Sequence, residues 1–230
     1  MIHTVIEDEE IDDDKYNEEE GWEFVMVEGQ KIGIKTSILE DKCTAVEMLI
    51  CYAQEMGAAF HPYVEKVLGV VVPLLKFYFH DGVRFAAASV IPMLFKSIVQ
   101  AQYRTFSLNL AHLMIAREVV LNTWHDVCEK MLNVITAEPD PTFVAHLFMS
   151  FHECIAHLGK MSMTPDLLQK FTAVVQNQLS EYLTRISDRE GKSLEAGTFL
   201  AHDELWIGFQ DSVRQMDVCC FVRPAIVKGQ

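Results

Sequence analysis

His146, His152, Cys154 and His157 fall within one short stretch, and imidazole and thiolate are the ligands a zinc site uses. Helical spacing argues against that chemistry. His146 and His157 share a face but stand about 16 Å apart along the axis at ~1.5 Å per residue, and His152 points elsewhere. Only Cys154 and His157 can converge, and two ligands do not make a zinc site. The four are read as packing residues, with no metal and no cofactor expected. Cys219-Cys220 is the other reactive-looking pair. Adjacent cysteines bridge poorly, so they are read as unpaired thiols. No GxSxG, no glycine-rich phosphate loop and no HExxH occurs, so no nucleophile–base arrangement is recognisable and no enzyme is expected.

Charge carries a second kind of chemistry. The formal net charge of the 230 residues is −14, and it is concentrated at one end. Glu7, Asp8, Glu9, Glu10, Asp12, Asp13, Asp14, Glu18, Glu19 and Glu20 face only Lys15, so that segment supplies −9 and leaves −5 for the rest. No cluster of Lys and Arg exists to meet a phosphate backbone, so nucleic acid is not an expected ligand. The acidic run admits two readings: a site that steers the basic signals of a partner protein, or a solvated segment that cannot bury enough apolar surface to order itself. Trp22, beside the run, either stacks on a partner's Lys stem or Arg plane or pins the segment to the first helix. Cys43, Cys51, Cys128 and Cys154 lie in helical patterns and read as small apolar residues in a reducing compartment. The acidic start does not fit a secretory signal, and no unbroken apolar run approaches the ~18 residues that span a bilayer. The sequence thus predicts a soluble intracellular protein without membrane insertion.

The elements that position these residues are helical. Half of the residues are hydrophobic, with only 7 prolines and 11 glycines, a balance that favours long helices. Trp22 to Val27 alternates weakly, between glycines, and is read as an ordered lead-in rather than a strand. A helix is predicted over about 36–56 from Cys43, Val46, Leu49, Ile50 and Ala53, with Gly57 as its stop. A second follows from Pro62, its stripe running through Val64, Leu68, Val71 and Leu75 to Tyr78, bent at Pro73. Asp81 caps the next helix, lined by Val83, Ala87, Val90, Ile91, Leu94 and Ile98. Its partner is read at Val120, Trp124, Val127, Met131 and Val134. Tyr103 to Arg117 between them is longer than a helix–helix connection and is assigned to a short extra helix that breaks the repeat. A third hairpin follows, with Val144 to Leu158 on one helix and Leu168 to Ile186 on the other. A period near forty, built from two amphipathic helices, predicts an all-α solenoid of HEAT-like hairpins. The divisions are an acidic segment over 1–20, hairpins over 36–80, 81–138 (with 103–117 inserted) and 140–187, and an irregular tail over 191–230.

Three strings carry a family resemblance: the acidic run with Gly21-Trp22-Glu23-Phe24, then Gly33-Ile34-Lys35-Thr36, then Val72-Pro73-Leu74-Leu75-Lys76-Phe77-Tyr78-Phe79-His80-Asp81-Gly82-Val83-Arg84. Together they resemble the middle of an importin-β-superfamily receptor, of the karyopherin beta-3 Ran-binding type. The resemblance is close over about 7–102 and looser over about 119–190. It implies a right-handed superhelix that carries cargo proteins with basic localisation signals through nuclear pores and releases them to Ran-GTP, shuttling between cytoplasm and nucleus. Nuclear pore proteins are the further partners it implies. In such receptors the second helices line the cargo surface, which makes Trp124, Asp126 and Glu129 candidate protein-binding residues beside Asp8, Glu9, Glu10, Asp12, Asp13, Asp14 and Trp22, although the apolar pattern favours a core place for Trp124. Such receptors are several times longer, so an internal fragment is expected, with 103–117 and the tail after about Ser193 outside the family pattern. Two rivals stand beside this reading: a HEAT adaptor of another complex, and a compact helical enzyme with dispersed site residues.

Overall fold

The computed structural model describes the backbone of residues 22–27, 30–105, 110–159 and 162–190. The acidic run and Cys219-Cys220 lie outside these residues, as does the side chain of Trp22. Two strands come first, β1 (Trp22–Val27) and β2 (Gln30–Lys35). They pair antiparallel, with Trp22 opposite Lys35 and Val27 opposite Gln30. This corrects the expectation of a strandless lead-in. The weak alternation of the first segment is completed by Ile32 and Ile34 in the second, and a pair of β-prone segments forms a ladder that neither signals alone.

Six helices follow: α1 (Thr36–Met56), α2 (Val64–Leu74), α3 (Asp81–Thr105), α4 (Leu110–Ala137), α5 (Pro141–Leu158) and α6 (Pro165–Glu190). They form three antiparallel-type hairpins whose first helices pack in one layer, α3 lying between α1 and α5, while α4 packs on α6 in the other. The chain is thus a short HEAT-type α-solenoid. Gly57, at φ 51°, ends α1, and a 3-10 segment over Gly57–Tyr63 carries the chain round to α2. Pro62 sits in that tighter segment rather than in the first turn of an α-helix. Pro73 does not bend a longer helix either: α2 stops at Leu74. Residues 75–80 then turn, leaving Tyr78 and Phe79 exposed instead of on the apolar stripe.

Each junction has a physical cause. His80 Nδ1 accepts the Val83 N–H at 3.2 Å and so caps α3. Asp140 accepts from the N–H groups of Thr142 and Phe143 at 3.0 and 3.2 Å, with Pro141 at the first helical position. Thr164 Oγ1 accepts from Leu167 N–H at 3.3 Å. A Cβ on Gly82 would stand 2.9 Å from Cys43 Sγ, so the glycine permits α1 to lie close on the start of α3.

Tyr103 to Arg117 is not an extra helix. Its described residues prolong α3 to Thr105 and start α4 at Leu110, giving an unusually long second hairpin. A ring ladder threads the core from Phe95 to Trp124 to Phe151 to Phe171, with centroids 5.3, 5.3 and 4.9 Å apart. It joins α3, α4, α5 and α6. Helix α3 is apolar enough by length and composition to cross a membrane, with mean hydropathy 1.5 over Asp81–Tyr103. It is instead the central helix of the stack, 67% of that window being buried.

Candidate functional site

Three of the sequence candidates lie on one second helix, α4, and the structure separates them. Trp124 is 0% exposed, and its Nε1–H donates to the Ser162 carbonyl at 3.1 Å. It therefore cannot meet a partner; it is a core residue, a correction to its place among the binding candidates. A wholly buried indole keeps its N–H bonded, and here the loop before α6 supplies the acceptor. Asp126 and Glu129 are exposed on α4, but both are paired. Lys130 Nζ reaches Asp126 at 2.7 Å, one turn along α4. Lys170 Nζ on α6 reaches Glu129 at 2.6 Å and Asp166 at 3.4 Å. The hydrogen bonds it donates to Glu129 and then Asp166 hold the Lys170 ammonium above its ordinary pKa.

Asp126 also lines a concavity on this side. Helices α2 and α4 hardly touch, although α1 and α2 both pack on α3. Between them lies a groove of about 620 Å³, within the few-hundred to ~1,000 Å³ range of ligand clefts. Leu68 and Val72 of α2 and Val127 and Val134 of α4 make its apolar floor. Its charged rim is Glu65 and Lys76 on the α2 side, Asp126 and Lys130 on the α4 side. Glu65 and Lys76 make no ion pair among the described residues. Gly69 lies on the wall, and a Cβ built on it meets nothing within 4 Å. Sequence reading missed Glu65, Gly69, Lys76 and Lys130. The signal was there in Gly69, a helix-interior glycine inside an apolar stripe, which the pattern treats only as an interruption.

The histidines do not converge. His146 on α5 lies against α3, its Nε2 2.9 Å from Ser89 Oγ and 3.2 Å from the Phe85 carbonyl. Burial pushes its pKa below the ordinary 6.5. His157 is likewise lowered, by burial and then by Lys96. Cys154 is wholly enclosed, and burial holds its thiol well above its usual range. Among the described residues no three His, Cys, Asp or Glu side chains are placed to share an ion.

The stack has relatives among known proteins. The family Importin repeat 6 matches residues 143–204, a span that continues past Ser193. Importin subunit beta-3 of Saccharomyces cerevisiae is 33% identical over 184 residues, covering 80% of this chain and 16% of its own length. Over most of its length the chain is similar to a segment of an importin-β-superfamily receptor. Two solved karyopherin structures agree in shape. Kap121p bound to Ste12p superposes with a TM-score of 0.68 at 30% identity, over 90% of this chain and 18% of that one. Kap121p bound to Pho4p gives 0.66 at 29% identity, over 84% and 17%. The chain spans about a sixth of the length of the relatives it matches. Those relatives are transport receptors, built to bind rather than to transform.

Proposed function

We propose that this chain serves nuclear import by binding cargo proteins that carry basic localisation signals, as part of a Ran-regulated receptor that shuttles between cytoplasm and nucleus. The observation that carries the proposal is its kinship in sequence and shape with Kap121p, which has been solved with Pho4p, Ste12p and Nup53p bound. The proposed binding is non-covalent. The open second-helix layer and the acidic run of Glu7 to Glu20 give this chain an apolar groove and a negative field to offer such a partner. Ran-GTP and nuclear pore proteins are assigned, in the same proposal, to the longer receptor.

The test is fluorescence anisotropy of a lysine-rich localisation peptide titrated with the whole chain. Binding should saturate and weaken at least tenfold between 50 and 500 mM salt, because exposed charges are screened beyond a few Å at high ionic strength (~3 Å at 1 M). Replacing Asp8, Glu9, Glu10, Asp12, Asp13 and Asp14 together by Asn or Gln should weaken it further at low salt. A chain that ignores the peptide at 50 mM salt refutes the import reading and leaves the adaptor reading in its place.

A further inference from the structure

Two helical glycines in this chain face opposite situations. Gly82 has a neighbour that demands it, since a Cβ there would collide with Cys43 Sγ at 2.9 Å. Gly69 has none: the space around it is empty to 4 Å, and the residue is exposed on the groove wall. A glycine inside a helix costs about 1 kcal/mol against alanine. Nothing within the described fold recovers that cost at Gly69. What a glycine offers a groove wall is close approach, because another chain can lie on the helix backbone there.

The charges beside it say what kind of chain. Glu65 on α2 and Lys76 in the turn after it stand on either side of Gly69, and neither has an ionic partner among the described residues. Nine steps along α2 and two through the 3-10-type turn after it separate them by about 17 Å. An extended peptide covers that length in about five residues at ~3.3 Å each. Between the two charges the floor is Leu68, Val72, Val127 and Val134, with Val70 56% exposed on the same helix. The four rim charges sum to zero, so net positive charge is not what this groove selects.

We propose that the α2–α4 groove is a docking site for an extended protein segment that carries a basic residue against Glu65, a bulky apolar residue over Gly69 and an acidic residue against Lys76. It deepens the receptor reading by naming a second kind of contact, and it stands apart from the basic-signal contact, because polarity and an apolar anchor replace net charge. The groove suits a short segment: about 620 Å³ holds a few side chains, not a domain.

The experiment is selection of random eight-residue peptides, displayed on phage, against the whole chain. Enriched peptides should place Lys or Arg and Asp or Glu about five residues apart around Phe, Leu or Met. They should bind the chain at least tenfold tighter than Gly69→Trp, which fills the groove from its wall. Gly69→Ala should keep the fold and raise the unfolding midpoint. The double variant Glu65→Lys/Lys76→Glu should select the reversed order, acidic then apolar then basic, and this arm stands even if Gly69→Trp fails to fold. Three results overturn the proposal: no enrichment over a blank surface, equal binding to Gly69→Trp with its fold intact, or an unreversed order from the double variant. The lysine-rich localisation peptide, run in parallel, separates the two claims. If it binds both wild type and Gly69→Trp while no groove peptide is found, the receptor reading survives and this site does not.

Discussion

Arg84 shows how much one side chain can hold in a repeat array. Only 4% exposed, it pairs with buried Glu138, donates from Nε to the Leu75 carbonyl at 3.3 Å and reaches Asp81 at 3.4 Å. Its guanidinium lies 4.0 Å from the centre of the Phe143 ring and 4.9 Å from Tyr78. It therefore ties the turn before α3 to the end of α4 and the start of α5. Glu138 in turn accepts the Asp140 N–H at 3.1 Å. Removing one partner of such a pair strands a charge away from water, which costs about 3–5 kcal/mol, whereas apolar replacement of both is close to neutral. Glu138→Ala should thus lower stability by about that amount in urea titrations, and Arg84→Met/Glu138→Leu should recover most of it. A double variant as unstable as Glu138→Ala would place the effect in packing, not in the uncompensated charge. Sequence could supply Arg84 through the family string but not its partner, because Glu138 is 54 residues away. Trp124, open in sequence to a binding and a core reading, shows the same limit in reverse. Its position on a second helix was legible, yet which side of that helix faces the core depends on Phe95, Phe151 and Ser162, all distant in the chain.

Helices were read well where period and caps agree, and poorly where a connection had to be inferred. The span of α1 matches the apolar spacing of Cys43, Val46 and Ala53, all buried. The stripe of α2 was followed too far, since the pattern of Leu74, Leu75 and Tyr78 persists after the backbone has turned at 75–80. Apolar periodicity records which residues want burial, and an exposed Tyr78 braced by Arg84 satisfies the pattern without being helical. The groove was illegible because it exists only where α2 and α4 fail to meet. The start of α5 is capped locally: one Asp140 carboxylate bonds two N–H groups, and Pro141 stands at the first helical position. Asp140→Ala should cost about 1 kcal/mol, read as a lower unfolding midpoint with unchanged helix content. Asp140→Asn should retain most of the stability.

Over the whole molecule, α3 and α5 meet across two histidines, His146 against Ser89 and the Phe85 carbonyl, and His157 near Lys96, with Glu153 of α5 near both. Burial favours their neutral forms, so both pKa values are depressed below 6.5 in the fold. The unfolded chain then binds more protons as pH falls through 6.5, and the array loses stability from that point downward. Urea midpoints should be level above pH 7 and drop between pH 6.5 and 5.5, and His146→Gln/His157→Gln should flatten that drop. An equal drop in the double variant would assign it to other groups. The position of α3 also has a consequence in time. Its apolar surface is covered on one side by α1 and α2, already made, and on the other by α5, made later. From Thr105 to Leu158 the ribosome adds 53 residues, which takes roughly 3–10 seconds at ~5–20 residues per second. For that interval a helix hydrophobic enough for a bilayer stands half-dressed in water, so the nascent chain offers chaperones and membranes a target that the finished protein hides.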